Sequence, residues 1–224
     1  MKRLLISAAA IVLTLSGCAS GPVPPDWQAN AHAALKNFTQ AYLAGNTRLA
    51  MRDLALARDE VARTGRPDLL ARVELTRCAV RVAALEFDDC PGFQSLAADA
   101  SAPERAYADF LAGRWEQLDA ALLPAQHRAL LAKTGDAVEL DEIADPVSRL
   151  VAAGVLFRLG RLSPKAMAQA TDTASAQGWR RPLMAWLGVQ LAQAQKVMRS
   201  GTPGGGAGDT AAALQRRIDM IPLK

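Results

Sequence analysis

The sequence predicts an all-α fold made of antiparallel helical hairpins, and three observations carry that expectation. Half of the 224 residues are hydrophobic but only 5% are aromatic. The dominant residues, Ala, Leu and Arg, have high intrinsic helix propensity. Apolar residues recur at steps of three and four rather than two. Glycine and proline punctuate the chain at helix-length intervals, while stretches rich in Val, Ile, Thr and aromatic residues are few, so strand signals are weak. The length suffices for one domain with its own core, or for a short helical array.

Residues 1–17 read as a leader rather than as part of the fold. Lys2 and Arg3 form a positive head, and Leu4 to Leu15 form an apolar run interrupted only by Ser7 and Thr14. That run is too short for an ordinary spanning helix, which needs about 20 apolar residues. It ends in Leu15-Ser16-Gly17-Cys18. This ending resembles the lipobox of bacterial lipoproteins: a leucine, two small residues and an obligatory cysteine. The resemblance implies cleavage between Gly17 and Cys18, with lipid attached to Cys18. One acyl chain alone binds a membrane only marginally, whereas two or three make attachment stable. Ala19, and not Asp, follows the cysteine; in Gram-negative members of that family this implies an outer-membrane location with the domain facing the periplasm. Residues 18–26 would then be the lipidated cysteine and a tether. Pro22, Pro24 and Pro25 cannot join a helix or a central strand, so the tether is expected to be extended.

Residues 27–224 are expected to form a single α-helical domain. Trp27 to Ala44 places Ala31, Leu35, Phe38 and Tyr42 on one side, and Gly45-Asn46 ends the helix. Thr47 to Thr64 follows, with Ala50, Leu54, Ala57 and Val61 at the same spacing. Gly65-Arg66-Pro67 breaks the chain, and Pro67 suits the first turn of a helix running through 68–87 with Leu69, Val73, Val80 and Leu85. Two short helical pieces are expected between Phe93 and Gly113, then a helix over Trp115 to Lys133 broken at Pro124. Pro146 to Leu159, Pro164 to Gln177, Pro182 to Met198 and Thr210 to Met220 complete the series. Residues 201–209, GTPGGGAGD, read as a loose loop; a phosphate-cradling loop would need Gly-Lys followed by Ser or Thr.

Helix endings recur as Leu43-Ala44-Gly45-Asn46, Leu111-Ala112-Gly113-Arg114 and Leu159-Gly160-Arg161. Gly45 and Gly113 lie about twice 34 residues apart, the period of the tetratricopeptide repeat. The first hairpin resembles that family: with Gly45 as the inter-helix turn, Ala50, Leu54 and Ala57 fall on the second helix's packing positions, and Ala106 takes the small position before Gly113. Phe38 departs from the pattern, and the step from Gly113 to Gly160 breaks the period. The two architectures left open are a tetratricopeptide-like array and an irregular helical bundle.

The formal net charge is +4 and falls to +2 once Lys2 and Arg3 leave with the leader, so there is no electrostatic footprint for nucleic acid. Cys78 and Cys90 form an even pair beside Cys18. A structural disulfide, two buried free thiols, and a redox or metal role all stay open for them, since their Cα atoms must come within about 7 Å to bond. His32 and His127 are far apart, without His or Cys neighbours at ligand spacing, and are expected at the surface or its boundary; no metal site or cofactor is expected. No Gly-x-Ser-x-Gly elbow occurs. Asp136, Glu139, Asp141, Glu142 and Asp145 read as a solvated helix face, and Arg180-Arg181 and Arg216-Arg217 as solvent-facing. Trp115, Trp179 and Trp186 are candidates to line a partner groove, or else core residues.

The function these features imply is a non-enzymatic, membrane-anchored helical module that binds another envelope protein through an exposed face. A small-molecule or lipid-binding protein, with a pocket between helices, is the alternative from another class. A cell-wall hydrolase would need two carboxylates roughly 5 to 9.5 Å apart across a cleft.

Overall fold

A computed structural model describes residues 25–132, 140–200 and 206–222. The expected leader, Cys18, most of the expected tether, and Asp136 and Glu139 of the acidic run lie outside the described residues. Ten α-helices and no strand occur among the described residues: α1 (Asp26–Leu43), α2 (Thr47–Ala62), α3 (Pro67–Ala83), α4 (Pro91–Gln94), α5 (Ala102–Ala112), α6 (Ala125–Ala132), α7 (Pro146–Arg158), α8 (Pro164–Ala176), α9 (Arg180–Arg199) and α10 (Ala207–Asp219). The all-α expectation holds. None of these helices is long and apolar enough to cross a membrane.

Local chemistry explains most helix boundaries. Gly45, at φ +89°, ends α1 in a conformation that favours glycine, and the Asn46 N–H reaches back to the Ala41 carbonyl at 2.8 Å. Asn46 then starts α2 by accepting the Leu49 N–H on its side chain. Asp145 and Ser163 cap α7 and α8 in the same way, with Pro146 and Pro164 following at the first helical position.

The helices pack both on their neighbours in the chain and across it. The centre is α3 against α7: α3 also touches α1, α2, α4 and α5, and α7 also touches α5, α6 and α8. Residues 150–156 of α7 are buried without interruption. A helix that is apolar all round belongs inside a fold. Its closest approach is at Gly154, where an added Cβ would meet the Val82 carbonyl oxygen at 2.2 Å. Trp186 of α9 is 0% exposed and meets Phe157 of α7 edge-on, with ring centroids 5.9 Å apart. A smaller apolar cluster, centred on Leu187, Ala194 and Leu214, holds α10 to α9.

Arg180 and Arg181 differ from expectation. Instead of facing solvent they lock α9 onto the α1–α2 turn. Arg180 Nε donates to the Ala44 carbonyl at 2.9 Å, and Arg181 Nε to the Tyr42 carbonyl at 2.8 Å. Arg181 also pairs with Glu86 at 3.1 Å and lies 4.2 Å from the Tyr42 ring centroid. The Tyr42 hydroxyl donates to Glu86 at 2.6 Å; burial first, and then that carboxylate, push its pKa up to about 12.

The largest local departure is after Gly113. Trp115 opens no helix: a turn follows Gly113, a 3-10 turn covers Ala120–Leu122, and only α6, beyond Pro124, is helical. Asp119 accepts the Ala121 N–H and so caps the 3-10 turn, and Pro124 cannot continue a helix from before it. The acidic run departs likewise: Leu140–Glu142 is a 3-10 turn, and Asp145 is a cap.

Candidate functional site

Cys78 and Cys90 are joined by a disulfide, with Cα atoms 5.7 Å apart. The chain turns back through Leu85 (φ +58°) and Cys90 (φ +50°), two non-glycine residues in the left-handed region. The carboxylate of Asp88 lies with the two sulfurs within 4.8 Å, a donor set of the kind that holds metals. Its donors are already committed: the sulfurs to each other, and Asp88 to Arg81 at 3.1 Å and to the Cys90 N–H at 3.0 Å.

Helix α5 is the wall shared by the main surface clefts. The first, of about 480 Å³, lies after its C-terminus around Asp109, Arg114, Trp115 and Gln117. The second, also about 480 Å³, lies between α3, α5 and residues 121–128. A third, of about 210 Å³, reaches Cys90, Phe93 and Arg158. Stacked rings run between the first two. Tyr107 packs 5.9 Å from Phe110, Phe110 4.8 Å from His127, and Phe110 5.5 Å from Trp115. Such stacking fixes the ring positions beyond simple burial.

His127 is the residue that sequence reasoning misplaced. It is 1% exposed, not superficial. Its Nε2 lies 3.1 Å from the Ser148 carbonyl, so this nitrogen carries the proton and donates; Nδ1 has no partner among the described residues. Burial holds its pKa below the ordinary histidine value, outweighing Ser148 and Asp145. The only sequence cue was its place three residues beyond Pro124, on the first turns of a helix whose direction the sequence does not reveal. His32 is exposed, as expected.

Of the three tryptophan candidates, only Trp115 reaches a cleft. It is partly buried, donates from Nε1 to the Phe110 carbonyl at 3.1 Å, and has the Arg161 guanidinium 5.2 Å from its ring. Trp186 is in the core, and Trp179, 4% exposed, donates to Gln40. Neither can anchor a partner, and both are core residues. Two carboxylates on the cleft walls are held in ion pairs: Asp109 by Arg114 at 2.6 Å, and Glu104 by Arg72 at 2.6 Å, with the Ser101 hydroxyl donating to Glu104 as well. No protein-family model matches the chain, and neither a curated protein nor a solved structure matches it.

Proposed function

We propose that this chain is a bacterial envelope lipoprotein: a non-enzymatic helical module, lipidated at Cys18, held on the outer membrane and facing the periplasm, where it binds another envelope protein. The reading rests on one observation. Leu15-Ser16-Gly17-Cys18 closes a short charged-then-apolar leader, while the two remaining cysteines are bonded to each other. Disulfides persist in oxidising compartments such as the periplasm, so the bonded pair fits export and leaves Cys18 as the one sulfur for lipid. Trp115, partly buried on the wall of the first cleft, is the aromatic side chain a partner could reach there.

Metabolic labelling with an alkyne fatty acid tests the anchor. The wild-type chain is expected to take label at Cys18, and Cys18→Ser to lose it and leave the membrane fraction; label retained by Cys18→Ser overturns the anchor. Crosslinking in cells tests the partner. One protein recovered reproducibly with the wild type, and lost with Trp115→Ala, is the expected result. Identical recovery from both rejects the Trp115 face.

A second reading has an observation of its own. Most of the second cleft's wall is apolar, and its volume falls within the range of small-molecule pockets.

A further inference from the structure

We infer that the cleft between α3, α5 and residues 121–128 binds a single-chain anionic amphiphile, with its apolar chain along the leucines and its acidic head at Arg128. The inference rests on the small-molecule reading of this cleft, and on neither the lipid anchor nor a protein partner.

Leu75 of α3, Tyr107 of α5, and Leu122, Leu123 and Pro124 of the connector face one space of about 480 Å³. An alkyl chain laid there would leave water on favourable terms, roughly in proportion to the apolar area covered.

The polar groups on the same walls select the head. Two arginines and one carboxylate line the cleft. Arg72 and Glu104 neutralise each other, with both Nε and Nη2 of Arg72 on one carboxylate oxygen. Among the described residues on these walls, that leaves Arg128 without a carboxylate partner. Its Nε donates to the Leu123 carbonyl at 2.8 Å, a neutral acceptor that positions the guanidinium without cancelling its charge. The Tyr107 hydroxyl has no hydrogen-bond partner among the described residues. Its surroundings raise its pKa, first by burial and then through Asp145, so it stays protonated and able to donate. Asp145 is the one carboxylate acting on Tyr107; it is engaged at the start of α7, accepting the Ser148 N–H at 2.7 Å, and is not on the cleft wall. A guanidinium beside apolar walls that Tyr107 also lines suits a carboxylate or phosphate ester on an alkyl chain. A cationic head would meet Arg128 as a like charge.

The test uses the full chain in whichever cell fraction contains it, and a dodecanoate carrying a diazirine at the chain end. After irradiation, mass spectrometry is expected to map the label to peptides containing Leu75, Leu122 or Leu123. Unlabelled dodecanoate and dodecyl phosphate should compete; dodecyltrimethylammonium should not. Arg128→Gln should lower labelling about tenfold, the scale of a lost hydrogen bond to a charged group. Ala121→Trp, which fills the cleft from an exposed position, should abolish it. Both variants are checked for wild-type circular dichroism and an intact disulfide. Labelling elsewhere in the chain, labelling indifferent to both variants, or equal competition by the cationic amphiphile overturns the site. Competition by phosphatidylglycerol vesicles but not by dodecanoate also overturns it, since the occupant is then a bilayer lipid.

Discussion

Around Gly154 the backbones of α3 and α7 come so close that no side chain fits between them, whereas from Gly113 to Leu123 the chain leaves two clefts of about 480 Å³. Both regions draw on the same residue types. The first is built from long helices whose apolar residues interlock, and the second from turns, a 3-10 segment and the eight-residue α6. Regular helices can approach until the backbones touch. Turns must leave their backbone groups near water or cap them with side chains. Stability and candidate binding surface are therefore separated in this molecule: the centre is closed, and the connector is open.

That contrast can be broken first at Trp186. Trp186→Ala should cost about 3–5 kcal/mol, the range for a large aromatic removed from a packed core, read as a lowered midpoint in urea denaturation. A cost below about 1 kcal/mol would mean that the centre is not close-packed. The disulfide comes next. Cys90→Ser should lower stability by about 3 kcal/mol on the chain-entropy model for a loop of this length. Thermal melting with and without reductant checks it, and the reductant effect should vanish in the variant. Gly154→Ala should cost about 1–3 kcal/mol through overpacking against Val82, although alanine favours helix. A stabilised variant would show that α3 and α7 can slide apart freely.

The connector should respond more weakly, and in one case through pH. His127 is buried neutral, with its pKa below the ordinary value of 6.5. The unfolded chain therefore binds a proton more readily below that value, and stability falls as the pH drops from about 6.5 toward the lowered folded value. Above it, His127 contributes no pH dependence. The slope cannot exceed about 1.4 kcal/mol per pH unit for one group. Melting temperatures of the wild type and His127→Gln across pH 7 to 5 should diverge only at the acid end. The smallest effect is expected from Arg114→Ala, an exposed side chain whose partner Asp109 is only half-buried: under about 0.5 kcal/mol, further reduced by salt.

Helix starts and stops were legible because their causes are local. Pro67, Pro146 and Pro164 fit a first turn, and Gly45 and Gly113 admit left-handed conformations; the side-chain caps at Asn46, Asp145 and Ser163 show only in the structure. Each acts within a few residues. The alternation of Ala31, Leu35, Phe38 and Tyr42 likewise named the inner face of α1 before any partner helix was known. Trp115 misled because a large apolar residue within a helical stretch looks the same whether it starts a helix or caps a turn. The candidate site was barely legible. Trp115 could be named, but Tyr107 and Arg128 carry no motif, and their meeting depends on where α3 lies.

The sequence by itself determined the all-α class and most helix boundaries, since propensity, proline and glycine placement and periodicity act within a turn or two of helix. Only the tertiary structure decided that His127 is buried, that Arg180 and Arg181 hold α9 to α1, that Cys78 meets Cys90, and that a cleft opens beside Tyr107. Each of these depends on burial and contact between segments distant along the chain. A side chain's neighbours across such distances are set by how helices pack, not by the residues beside it.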